Sequence, residues 1–150
     1  MKRLFEKFIM GLLALLGFSV TESCRVEYGC PHANYAITGE VTSEENVKLS
    51  GIRVTVSLDG DWERDPQYGY ITTETNADGQ YETHVNAYIW SSETAVKFED
   101  VDGPENGGPF KTKIVTVDPE NLKQIGKGDG NWFDGDWVAT VNAVLEKEEN

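Results

Sequence analysis

From Tyr35 onward, hydrophobic and polar residues alternate along most of the chain. Ile52, Val54, Val56 and Leu58 are separated by Arg53, Thr55 and Ser57, the period of two that turns one face of a strand to a core and the other to water. The same pattern predicts strands over Tyr35–Val41, Tyr70–Thr75, Gln80–Val85, Thr94–Asp100, Lys111–Val117 and Trp137–Leu145. With Ile52–Leu58 these make seven. Between them lie SEENVKLSG, DGDWERDPQYG, NADG, DGPENGGP and GKGDGNWFDGD, which hold most of the 15 glycines and mark turns. Short strands punctuated in this way predict an all-β fold, a seven-stranded antiparallel β-sandwich. DPENLKQI, Asp118 to Ile125, has room for one or two helical turns.

TETNADGQYET places Asp78 and Gly79 between two alternating segments. Asp-Gly supplies the positive φ angles of a tight β-turn, which predicts a hairpin that fixes the register of its strands. The strand GIRVTV followed by TNADGQY resembles the carboxypeptidase regulatory-like and Cna-B group of transthyretin-like (prealbumin-like) sandwiches, over roughly Tyr35 to Val85. Those motifs are structural, so the resemblance implies a fold and hardly any chemistry.

The N-terminus reads differently. MKRLFEK carries Lys2, Arg3 and Lys7, and the 13 residues from Phe8 to Val20 carry no charge. A bilayer span needs roughly 20 apolar residues, so a basic cap on this shorter run predicts an export signal helix. Ser23 directly before Cys24 fits a bacterial lipoprotein cleavage site, where a small residue precedes the cysteine whose thiol takes the lipid. Simple secretion, with Cys24 free or in a disulfide, is the alternative. The expected organisation is a signal peptide over 1–23, a tether over 24–34, the sandwich over 35–146 and an acidic tail over 147–150. The expected location is the cell envelope, with the protein held to a membrane by acyl chains on Cys24, palmitate among them.

Charge narrows the partners. The chain has a net charge of −13, and residues 1–23 hold three of its 13 basic and two of its 26 acidic residues, which leaves −14 on the exported portion. Nucleic acid is excluded as an expected partner, and membrane attachment has to come from lipid, not from a basic patch. Cys24 and Cys30 are the only cysteines, too few for a disulfide framework.

Ser23-Cys24, EYGCPHANYAITGEVT, the DGQY turn and KFEDVDGPENGGPF together resemble a family of lipoproteins named for their association with radical SAM enzymes. Tyr28, Gly29 and Pro31 match that family's segment after the lipidated cysteine, whereas Cys30 departs from it. The resemblance implies a transthyretin-like domain without an established activity. The family name implies genomic company with a radical SAM protein; the expected partner is an unidentified protein, with a component of that system as a candidate, and the alternative is that the chain is a protein substrate of the enzyme.

Catalytic signatures are weak. A triad needs a nucleophile, a base and an orienting acid within hydrogen-bond reach, and the two histidines are poorly placed for that. His84 alternates with Tyr81, Thr83 and Val85 and so points to solvent, while His32 with Cys30 supplies two of the four ligands of a structural zinc site. No phosphate-binding loop or dinucleotide-binding glycine pattern is present, and two cysteines cannot hold an iron–sulfur cluster. The expectation is a binding or accessory module that is not an enzyme and has no resident cofactor.

Two acidic loops carry candidate chemistry. In FEDVDGPENGG, Asp100, Asp102, Glu105 and Asn106 offer oxygen ligands and the glycines allow a tight wrap, which makes weak calcium binding a candidate although the EF-hand spacing is not met. DGDWERD, Asp59 to Asp65, is a lesser candidate because a strand setting splays its acids to both sides. In GDGNWFDGDW, Trp132 and Phe133 among Asp and Gly suit stacking on sugar rings, the alternative being that Trp137 is core and one of the other two plugs the loop.

Overall fold

A computed structural model describes residues 29–60, 62, 70–87 and 93–148. The signal helix, the lipid site at Cys24 and most of Asp59–Asp65 lie outside the described residues.

The regular structure of the described chain is nearly all strand: β1 (His32–Ser43), β2 (Ile52–Ser57), β3 (Tyr70–Glu74), β4 (Gln80–Ala87), β5 (Ala95–Asp100), β6 (Lys113–Thr116), β7 (Lys123–Lys127), β8 (Phe133–Thr140) and β9 (Ala143–Leu145). One sheet runs β4-β1-β8-β7, with β9 also paired to β1, and the other runs β3-β2-β5-β6. Their inner faces form a sandwich. Ile37 and Val41 of β1, Val54 and Val56 of β2, Val96 and Phe98 of β5, Ala139 of β8 and Leu145 of β9 are all buried in one core. The predicted alternation thus places the right residues inward. Lys111 reaches Glu146 at 3.2 Å and Lys113 Nζ donates to the Val144 carbonyl at 2.9 Å, joining the two sheets along one side.

Several expectations are corrected. Nine strands, not seven, occur among the described residues. The predicted strand Trp137–Leu145 is two, broken at Val141 and Asn142, where Val141 N donates to the Thr38 carbonyl at 2.8 Å and the Asn142 side chain accepts from Glu40 N at 2.9 Å. β7 was hidden because it is an edge strand exposed on both faces, so no alternation marks it. Before it, Pro119–Asn121 forms one 3-10 turn capped by Asp118, and the chain then extends.

The sheets are also not purely antiparallel. β1 pairs parallel with β8 over Asn34–Thr38 and with β9 over Val41–Ser43. Alternation is the same for either direction, so the sequence pattern carries no information on this point. β1 begins at His32, inside the span expected as tether, and sheet-like pairing continues past 146: Lys147 bridges Phe110, and Glu148 N donates to the Pro109 carbonyl at 2.9 Å.

The turn at Asp78-Gly79 forms, but it does not make a hairpin. β3 pairs with β2 whereas β4 pairs with β1, so the turn passes the chain from one sheet to the other. Asn76 organises it, its Oδ1 accepting from Asp78 N at 3.0 Å and Gln80 N at 2.9 Å. Gly79 has φ +70°, and a Cβ there would sit 2.6 Å from the Val41 carbonyl oxygen. Gly79→Val should therefore cost about 1–3 kcal/mol of stability, read as a lower urea midpoint. An unchanged midpoint would show that this corner tolerates a side chain.

Candidate ligand-binding site

The loop from β7 to β8 folds around Asp129. Its Oδ1 accepts from Asn131 N at 2.8 Å and Phe133 N at 3.2 Å, and Asp129 N donates to the Phe133 carbonyl at 3.0 Å. These bonds present Trp132 and Phe133 together from a self-bonded turn. The loop is also tied to β1, because His32 N donates to the Trp132 carbonyl at 2.8 Å. The Trp132 indole lies against Gly29 so closely that a Cβ there would overlap it. The rings of His32 and Phe133 are tilted at 45° with centroids 5.6 Å apart.

A cleft of about 840 Å³ opens here, with His32, Tyr35, Trp132 and Phe133 in its walls and Gln124, Lys127, Asn131 and Asp134 supplying polar groups. Gln124 Nε2 donates to the Asp134 carbonyl at 3.0 Å, which steadies the polar side. Both Trp132 and Phe133 are half-buried. A concave, largely apolar site with a few polar groups is the usual form of a small-molecule site. Aromatic rings present flat apolar surface to the C–H faces of a sugar ring, while amide, carboxylate and ammonium groups meet its hydroxyls.

Trp137 lies in the middle of β8 and is half-buried, not a core residue opening the last strand. Its Nε1 is sealed from solvent without an acceptor among the described residues.

Sequence reasoning found Trp132 and Phe133 but missed His32, Tyr35, Gln124 and Lys127. Those residues come from β1 and β7, which meet the loop only through sheet pairing. The signal that was available is the aromatic content of PHANY, which runs from the end of the expected tether into the first strand.

The acidic loop after β5 is organised differently from a cation cage. Asp100 Oδ1 accepts from Asp102 N at 3.3 Å and Gly103 N at 3.2 Å, and its Oδ2 accepts from Phe110 N at 2.9 Å. Asn106 Nδ2 donates to Asp102 Oδ2 at 2.5 Å. The structure thus brings Asp100, Asp102 and Asn106 together as a loop staple, with Glu105 in the 3-10 turn between them. No group of three or more His, Cys, Asp or Glu side chains is arranged to hold a metal among the described residues. That covers His32 and Cys30, where the ring Nδ1 is 3.3 Å from the Cys30 carbonyl oxygen. His84 is exposed, with Glu82 at 3.1 Å.

Burial, and then the hydrogen bond with Asp102, hold the Asp100 carboxyl above its ordinary value of 3.8, although the N–H groups of Phe110 and Gly103 favour the charged form. A proton bound more tightly in the folded state stabilises it fully below the ordinary value, and that contribution is lost as pH rises through the raised one. Melts from acid to neutral pH should show the wild type losing Tm relative to Asp100→Asn. A difference that stays constant with pH would contradict the shift.

No protein-family model matches the chain, and no curated protein matches it. Among solved structures, it is similar to chlorocatechol 1,2-dioxygenase from Pseudomonas putida, at 16% identity and a TM-score of 0.52, covering 83% of this chain and 70% of that one. It is also similar to the dioxygenase domain of a dioxygenase carbohydrate-binding protein fusion from Streptomyces sp. SirexAA-E, at 16% identity and a TM-score of 0.49, covering 83% and 85%. The major plantain pollen allergen matches at 13% identity and a TM-score of 0.42, covering 78% and 96%. At such identities the likeness is one of fold.

The chlorocatechol dioxygenase corrects one expectation. The chain was expected not to be an enzyme, yet a comparable sandwich serves as an enzyme there. A sandwich architecture therefore does not by itself exclude catalysis.

Proposed function

We propose that this protein is an exported lipoprotein of the cell envelope, anchored through Cys24, whose transthyretin-like sandwich binds a sugar ring in the cleft of His32, Tyr35, Trp132 and Phe133. The cleft carries the reading: four aromatic rings and a rim of amide, carboxylate and ammonium groups converge on about 840 Å³. The uncharged run Phe8–Val20 ending near Ser23-Cys24 supports export and anchoring. The G-x-x-V-x-V and D-G-x-Y motifs support the transthyretin-like assignment. The segment around Tyr28, Gly29 and Pro31 supports a place in a radical SAM-associated envelope system, with a component of that system as protein partner.

An oligosaccharide array followed by titration tests the binding. Trp132→Ala and Phe133→Ala should each weaken the sugar by about tenfold or more, the equivalent of about 1.4 kcal/mol, with the melting curve retained. No bound glycan, or variants that bind as the wild type does, would overturn the assignment. Anchoring is tested separately, since Cys24→Ala should move the protein from the membrane to the soluble fraction.

A further inference from the structure

The cleft sits where the chain enters the sandwich. Gly29 packs under the Trp132 indole, Pro31 and His32 line the cleft, and β1 starts at His32. Cys24 precedes Gly29 by five residues, and five extended residues span at most about 18 Å. An acylated Cys24 therefore holds the cleft end of the sandwich within about 18 Å of the lipid headgroups and leaves the opposite end distant.

A second observation concerns β7, which contributes Gln124 and Lys127 to the cleft. The exported portion is strongly acidic, yet this edge strand contains no acid. It carries Lys123 and Lys127 at its ends and Ile125 between them, 68% exposed. Ile125 itself faces a neighbouring groove with Glu82, His84 and Trp137, so the strand shows an exposed aliphatic side chain and two lysines at the cleft's edge, which is the chemistry of a membrane interface: an apolar group at headgroup depth and cations toward phosphate. The nearby acids Asp129 and Asp136 are engaged within the protein, Asp129 by Asn131 N and Phe133 N and Asp136 by Asn34 Nδ2. Asp134 is exposed and remains at the cleft for a hydroxyl.

We infer that the cleft opens toward the bilayer and takes the sugar headgroup of an envelope glycolipid, in preference to a free saccharide. This rests on the lipid-anchored, sugar-binding reading above. Anchoring protein and ligand in one surface turns the encounter into a local one and raises the effective concentration of the headgroup without any new contact. The membrane also fixes the direction from which a sugar can arrive.

The test uses the native acylated chain and one panel of oligosaccharides in two forms, free in solution and as neoglycolipids in phosphatidylcholine vesicles. Tryptophan emission is read in both. At least one neoglycolipid is expected to change the emission at a concentration about tenfold or more below that of the same free glycan. Trp132→Ala should lose this response and Ile125→Asp should narrow the gap between the two forms, while both variants still float with the vesicles through their lipid.

Equal potency of free and lipid-borne glycan would overturn the membrane-proximal inference and leave sugar binding standing. No response to either form would overturn both. Protein that carries no acyl mass and does not float would remove the anchor, and this inference with it, while the free-glycan arm would still report on the cleft.

Discussion

Phe98→Ala is expected to lower the stability of the sandwich by about 3–5 kcal/mol, the range for deleting a buried aromatic. Phe98 is completely buried on β5, and its ring meets that of Tyr81 from the facing sheet edge-on, with centroids 5.7 Å apart and planes at 73°. It is therefore one of the contacts that joins the sheets, and its loss leaves a cavity that neither sheet can close alone. Total stabilities are about 5–15 kcal/mol, so the variant should sit near the edge of folding, with a sharply lower urea midpoint. Phe98→Leu, which keeps most of the volume, should recover most of the loss. A deficit below about 1 kcal/mol in Phe98→Ala would mean that the ring does not bridge the sheets.

Gly39→Val should be comparably severe, for the opposite reason. A Cβ on Gly39 would overlap the Val141 carbonyl and lie 2.9 Å from Cε1 of Tyr81. Val141 cannot yield cheaply. Its N donates to the Thr38 carbonyl at 2.8 Å, and its carbonyl accepts from Tyr81 Oη at 2.7 Å. Burial pushes the Tyr81 phenol well above its ordinary value, so it stays protonated as the donor. Pushing Val141 away breaks both bonds in a buried place, at about 1–3 kcal/mol for each group left unsatisfied, on top of about 1–3 kcal/mol for overpacking. Folded Gly39→Val protein should fail to accumulate. Gly103→Ala is the comparison, because a Cβ at Gly103 meets nothing within 4 Å and only its φ of +70° opposes the change. Equal losses in the two variants would show that contact with Val141 is not what Gly39 avoids.

The inward faces of the strands were legible because burial acts residue by residue. Ile52, Val54 and Val56 need only their own alternation to be placed, and the same holds for Val96 and Phe98. Gly79 was legible as a positive-φ residue because only backbone geometry is involved. Partnership is not a local property. Nothing in Gln80–Val85 says that it pairs with β1 instead of β3, and nothing in Trp137–Leu145 marks the break that lets β1 take β8 and then β9 as parallel neighbours. β7 escaped notice because an exposed edge imposes no pattern on its residues. The cleft was half legible for the same reason. Trp132 and Phe133 stand out in a loop of Asp and Gly, but His32 and Tyr35 join them only after residues about a hundred positions apart pair, as Tyr35 and Trp137 do.

That pairing also bears on when the chain can fold. Of the strands described, β1 is made first, and its parallel neighbours β8 and β9 follow about a hundred residues later. Until they arrive, β1 can pair only with β4, and the inner face carrying Tyr35, Ile37 and Val41 lacks half of its sheet. Loop closure over such separations makes folding slow, with all-β folds typically taking milliseconds to seconds. On the export route proposed above, that delay keeps the chain unfolded, and therefore threadable, until β8 and β9 have been made.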